Sequence, residues 1–108
     1  MATGSKKLII MIPCLNEEQA LPVTLAALPR EVPGIDRIEI LVINDGSQDR
    51  TAEVARECGV DHVLDFRTTE GLARAFTAGL AHAARLGADY VVNLDADNQY
   101  DARDIPKL

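Results

Sequence analysis

The sequence predicts an α/β fold of three layers, a mostly parallel sheet with flanking helices. Four short apolar runs alternate with three stretches of helical character, the pattern of a sheet wound by right-handed crossovers. The strongest runs are continuously apolar, as strands covered on both faces are. Three polar clusters, PCLNEE, NDGSQD and DADNQY, follow the first, second and fourth runs. They therefore share one rim, the carboxyl ends of the strands, where open α/β sheets bind ligands.

The first strand is LIIMI, Leu8 to Ile12, expected to stop at Pro13. NEEQALPVTLAAL then reads as a helix, with Asn16 as its N-cap, Glu17 and Glu18 in its first turn, and Pro22 early, where a proline does least harm. PREVPGID is a turn-rich connection to the second strand, IEILVI, Ile38 to Ile43. A turn follows, then a short helix from about Thr51, capped by Ser47, Asp49 or Thr51 and closed by Gly59. HVLDF is a weaker third strand. GLARAFTAGLAHAARLGA is a helix with Leu72, Ala75, Phe76, Gly79, Leu80 and Ala83 on one face, ended by Gly87. YVVNL is the fourth strand, and DIPKL opens a further helix with Pro106 in its first turn.

No internal repeat or linker divides the chain, and 108 residues suffice for one core. Residues 1–6 read as a flexible leader and 7–108 as a single domain. Seventeen acidic against eleven basic residues give a net charge of -6, which argues against nonspecific nucleic-acid binding. A phosphate-bearing ligand must then be met by a metal, by backbone amides or by a few local cations. LIIMIPCL is far shorter than the ~20 residues that span a bilayer, and the preceding SKK is not followed by a small-residue cleavage site. Cys14 and Cys58 match no metal-binding spacing and read as reduced thiols of a cytoplasmic protein.

On the rim, Asp95 and Asp97 lie one residue apart and repel each other unless something offsets the charge. A hard cation, Mg2+ or Mn2+, prefers such oxygen ligands and often bridges one or two carboxylates to phosphates. Alternate residues of an extended chain point opposite ways, so one acid could hold metal while the other faces a ribose or water. The plain alternative is a pair of solvated loop acids. Asp45 sits where the second strand emerges and can accept N–H bonds from a base edge, with Gly46 leaving room beside it, although Asp45-Gly46 is also a turn dipeptide. Leu15 and Glu17 lie near the rim and could line a base or ribose pocket. His62 and His82 read as surface or packing residues, Met11 and Cys14 as core. Arg67 and Arg74 could reach phosphates, with a solvated role the weightier reading for each.

Taken together and in this order, IPCLNEE, INDGSQDRT and NLDADNQY resemble the motifs of inverting family 2 glycosyltransferases of GT-A fold, dolichol-phosphate mannose synthase-like and undecaprenyl-phosphate sugar transferase-like enzymes in particular. The helix GLARAFTAGLAHA is also similar to the one such enzymes carry before the D-x-D strand. The resemblance covers Lys7 to Leu108. It implies the nucleotide-binding half of a GT-A fold. Pro13, Leu15 and Glu17 would contact the nucleoside, Ile43 and Asp45 would flank and bond the base, and Asp95, Ala96 and Asp97 would follow the ribose and diphosphate. It further implies Asp97 and Gln99 as ligands of Mg2+ or Mn2+, a UDP- or GDP-sugar as donor, and a polyprenyl phosphate as acceptor at the cytoplasmic membrane face. Leu15 stands where many such enzymes carry an aromatic, and Asn44 replaces the first acid of a common D-D-G-S. The catalytic base is expected beyond residue 108, in a longer protein, with the 108 residues alone inactive. An exposed sheet edge after the fourth strand offers a route to self-association.

A sugar nucleotidyltransferase is the nearest alternative activity, but PCLNEEQAL lacks a Gly-rich segment with following Arg and Lys. A noncatalytic nucleotide-binding fragment is the alternative outside enzymes. A dinucleotide-binding domain is disfavoured, because no G-x-G-x-x-G follows a strand.

Overall fold

A computed structural model describes residues 5–96 of the chain. Strand β1 (Lys7–Cys14) pairs with β2 (Arg37–Asp45) on one side and β4 (Tyr90–Asn93) on the other, and β3 (His62–Phe66) lies outside β2. All pairs are parallel, in the order β3-β2-β1-β4. Ile10 sits opposite both Ile40 and Val92, so successive β1 residues feed opposite faces of the sheet. One face buries Leu8, Ile10, Ile12 and Val42 against Leu21 of α1 (Ala20–Ala27) and Ala55 of α2 (Thr51–Glu57). The other buries Ile9, Met11, Leu41 and Ile43 against Ala75 and Ala83 of α3 (Leu72–Arg85). Each of these large aliphatic side chains contributes about 1.5–3 kcal/mol by leaving water, and together they fix the strand ends that carry the polar clusters.

The first strand does not stop at Pro13. It runs on to Cys14, with Pro13 opposite Ile43. The Met11 carbonyl accepts from the Leu94 N–H at 2.9 Å, so odd residues of β1 turn their backbone groups toward β4. Pro13 therefore aims its donorless nitrogen past Asn93, the last paired residue of β4, and no ladder bond is lost.

The first helix is shorter than expected, and Asn16 does not cap it. It begins at Ala20 after Gln19, has no side-chain cap, and carries no acid in its first turn. Asn16 instead adopts φ 55, a conformation Asn tolerates, and its N–H donates to Ser47 Oγ at 2.9 Å. The amides of Glu17 and Glu18 donate to Thr51 Oγ1 and Asp49 Oδ2. Oxygens of the β2–α2 turn have captured the donors of 16–18, so that segment ties two loops together instead of starting a helix. Asp49 still serves α2, accepting the Thr51 N–H at 2.9 Å, while Ser47 and Thr51 face the first loop.

Helix α3 buries less of its apolar face than its periodicity suggests. Ala75, Gly79 and Ala83 point at the sheet, whereas Leu72, Phe76 and Leu80 stay exposed, Leu72 at 63%. The small residues let the helix approach closely. A Cβ on Gly79 would lie 2.8 Å from both Met11 Sδ and Ile43 Cδ1. At that separation the larger neighbours on the adjacent stripe are left at the flank. The helix expected in DIPKL lies outside the described residues.

Candidate functional site

The chain winds from β1 outward to β3 and then returns to place β4 on the other side of β1. Such a reversal opens a crevice at the carboxyl ends of the strands. A cleft of about 210 Å³ lies there. Pro13, Cys14, Leu15 and Glu17 line it from the end of β1, Asp45 from the end of β2, Asp95 and Ala96 from beyond β4, and Thr69, Gly71, Leu72 and Ala75 from the start of α3. Hollows of about 310 and 500 Å³ lie by the amino ends of β2 and β3, where Arg30 and Ile38 line both, and gather none of the three polar clusters. Another of about 300 Å³ lies beside the first loop, lined by residues 16–20 and Asp49, and takes in no residue from the end of β4.

Six expected site residues thus meet in one cleft: Pro13, Leu15, Glu17, Asp45, Asp95 and Ala96. Ile43 does not join them. It is fully buried in the core beneath α3, against Gly79, and supports the end of β2 from below. Asp97 and Gln99 lie outside the described residues. Ala96 is buried, and its carbonyl accepts a hydrogen bond from the Thr24 hydroxyl, which ties the exit of β4 to α1.

Asp45 is only 4% exposed, and its carboxylate is not idle. Oδ1 accepts the Glu70 N–H at 2.7 Å and Oδ2 the Gly71 N–H at 3.0 Å. Where the sequence suggested a free acceptor for a base edge, each oxygen already holds one backbone amide, although a carboxylate oxygen has a further lone pair. Asn44 beside it is structural. Its Nδ2 donates to Asp65 Oδ1 of β3, and its Oδ1 accepts the Ser47 N–H.

Burial, reinforced by the charges of Glu17 and Asp49, pushes the Cys14 thiol up to about 12. Cys14 is therefore a neutral wall of the cleft and no nucleophile at ordinary pH. Burial is the largest single influence on the Asp49 carboxyl and pushes it up, but bonds from the Thr51 hydroxyl, the Thr51 and Glu18 amides and its own amide together hold it below its ordinary value. It stays anionic beneath the first loop.

Among the described residues the cleft's carboxylates are Glu17, Asp45 and Asp95, and no described Lys or Arg lines it. Among the described residues no group of three His, Cys, Asp or Glu could by itself hold a metal ion. Carboxylate oxygens of this kind are what a hard divalent cation prefers. Thr69, Gly71, Leu72 and Ala75 were not foreseen as lining. They follow β3, whose carboxyl end shares the rim, but the segment carries no acidic cluster to mark it.

The family model described as Glycosyl transferase family 2 matches residues 9–108. The chain is 34% identical over 106 residues to an undecaprenyl-phosphate mannosyltransferase from Micrococcus luteus, covering 94% of this chain and 42% of that protein. Its fold matches a mannosyltransferase from Pyrobaculum calidifontis in complex with GDP-Man and Mn2+, with TM-score 0.74 and 22% identity over 93% of this chain and 30% of the other. It also matches glucosyl-3-phosphoglycerate synthase from Mycobacterium tuberculosis in complex with UDP, with TM-score 0.70 and 24% identity over 90% and 35%. These likenesses show the fold, a four-stranded parallel sheet with flanking helices as found in GT-A glycosyltransferases.

Proposed function

The chain belongs to glycosyl transferase family 2, and from that premise we propose that its cleft binds a nucleoside-diphosphate sugar through a divalent cation and presents the sugar for inverting transfer. One observation carries the reading. The cleft lies at the reversal of strand order, yet among the described residues that line it the charged side chains are all carboxylates. A diphosphate entering it meets repulsion unless a cation accompanies it. Pro13, Leu15 and Glu17 would bound the nucleoside, Asp45 the base, and Asp95 and Ala96 the ribose and diphosphate. Asp97, with Gln99 behind it, is our choice for the metal. Bound there, Mg2+ or Mn2+ would offset charge developing on the leaving diphosphate. Transfer itself, by attack of an acceptor oxygen on the anomeric carbon, is proposed for a protein of the relatives' length, of which this chain spans about two-fifths in the case given.

The acceptor we favour is a polyprenyl phosphate at the membrane surface, as the name of the Micrococcus luteus relative suggests for that protein. No helix among the described residues is long and apolar enough to cross a membrane. We further propose residues 7–108 as the nucleotide-sugar-binding part of the domain, and self-association through the edge of β4 that is unpaired among the described residues. Calorimetry with UDP and GDP, each with Mn2+, Mg2+ or chelator, tests the central claim. Binding is expected only with a divalent ion, and Asp97→Asn should weaken it by on the order of tenfold or more. Metal-independent binding that survives this substitution would sink the reading.

A further inference from the structure

The segment between β3 and α3 forms one wall of the cleft through Thr69, Gly71 and Leu72. Three features of the sequence press it into place. The Asp45 carboxylate accepts the Glu70 and Gly71 amides, one on each oxygen. Gly46, at φ 73, brings its Cα so close that a Cβ there would lie 2.4 Å from the Thr69 nitrogen and 2.5 Å from the Thr68 carbonyl carbon. Gly71 adopts φ 101 and ψ 159, a backbone region essentially closed to other residues, and its carbonyl then accepts the Ala75 N–H as α3 begins. The carboxylate also sits at the amino end of a helix of 14 residues, where negative charge is favoured.

We propose that Asp45 is a positioning residue: with Gly46 it seats Thr68–Gly71 as a strap that completes the cleft. A ligand donor that reaches Asp45 shares the anion that holds the strap. Recognition at this corner is therefore coupled to the seating of residues 68–71, and the strap itself contributes to affinity. The nucleotide part of this inference rests on the proposed donor; the seating of the strap does not.

Amide hydrogen exchange by NMR tests the seating in the free chain. The Glu70 and Gly71 amides should be protected in the wild type and exchange on the order of tenfold faster or more in Asp45→Ala, which loses both charge-assisted bonds. Asp45→Asn keeps one acceptor oxygen and should fall between them. Gly46→Ala leaves the carboxylate intact but should free the same two amides. Protection of the Ile10 and Ile12 amides reports whether each variant keeps its sheet; should Gly46→Ala lose it, the Asp45 series still decides. Unchanged exchange at Glu70 and Gly71 in Asp45→Ala overturns the proposal. Titration with UDP or GDP and Mn2+ then separates the two readings of Asp45. If the strap matters, both amide signals shift on binding, and Gly46→Ala weakens affinity by about as much as Asp45→Ala. Affinity lost in Asp45→Ala but kept in Gly46→Ala would mean that the carboxylate acts on the base alone, against the strap. Absence of nucleotide binding in the wild type would strike the proposed function, while the exchange comparison would still rule on the strap.

Discussion

Glu39 is a carboxylate that the fold keeps almost dry, and its neighbours explain how. It projects from β2 at 5% exposure, accepts His62 Nε2–H at 2.8 Å, and is ion-paired with Arg37 Nε at 2.6 Å and Lys7 Nζ at 3.7 Å. The His62 bond does most to hold its pKa below the ordinary 4.5, against the burial penalty and with help from the charges of Lys7, Arg37 and His62. A carboxyl depressed in the folded state contributes stability above its unfolded pKa and loses it as pH falls through the folded value. Unfolding free energy should accordingly decline as pH falls below about 4.5, more steeply in the wild type than in Glu39→Gln. At pH 7 the substitution should cost about 1–2 kcal/mol, discounted because Arg37 is largely exposed. Urea denaturation at pH 7 and near pH 3.5 makes the comparison. Equal pH dependence in the two proteins would show that Glu39 is not the group responsible. A buried acid of this kind stands in the sequence IEILVI as a single interruption, and besides Arg37 on its own strand its partners come from β1 and β3. Only the assembled sheet reveals why it is tolerated.

Helix α3 carries a contest between local propensity and packing. Alanine is a better helix former than glycine by about 1 kcal/mol, so propensity alone predicts that Gly79→Ala stabilises the protein. The Met11 and Ile43 contacts predict the opposite, because a Cβ at 2.8 Å must displace them. Overpacking of this sort costs about 1–3 kcal/mol, and the net effect should be destabilising. Thermal or urea unfolding reads the sign directly. A stabilised Gly79→Ala would mean that helix and sheet are not as close as described. The same contest explains which elements were legible in the sequence. The order of the four strands and three helices among the described residues was plain, because β-rich runs and helical periodicity are local signals. The burial of α3 was not. Ala75, Gly79 and Ala83 form one helical stripe and Leu72, Phe76 and Leu80 the next, and periodicity cannot say which turns inward when small residues permit closer contact. Pro13 and Asn16 misled for a related reason: each is tolerated or diverted by a partner strand or turn remote in sequence.

Across the whole molecule, the rim clusters were readable because a parallel sheet sends every strand's carboxyl end to one side, and six expected residues do line one cleft. The strap was not readable, since its contribution is two backbone amides and the room left by a glycine. At this scale the open flank of the sheet also has a consequence. Among the described residues β4 has a single neighbour, and Tyr90 is exposed at its start. An unpaired strand edge invites pairing with another copy unless a charge interrupts it. Sedimentation velocity over a range of concentrations should show reversible dimerisation, and Tyr90→Lys should shift the population toward monomer by about threefold or more at fixed concentration. A concentration-independent monomer would remove the edge from consideration.

The tie between the first two loops has a bearing on how such a site can be rebuilt. Amides of residues 16, 17 and 18 donate to side-chain oxygens at 47, 51 and 49, and Asn16 Oδ1 takes the Gln48 N–H in return. PCLNEE and NDGSQD are consequently one module written in two places. Transplanting either segment alone from a relative would strand its mates, so a chimera meant to alter the cleft must inherit both together.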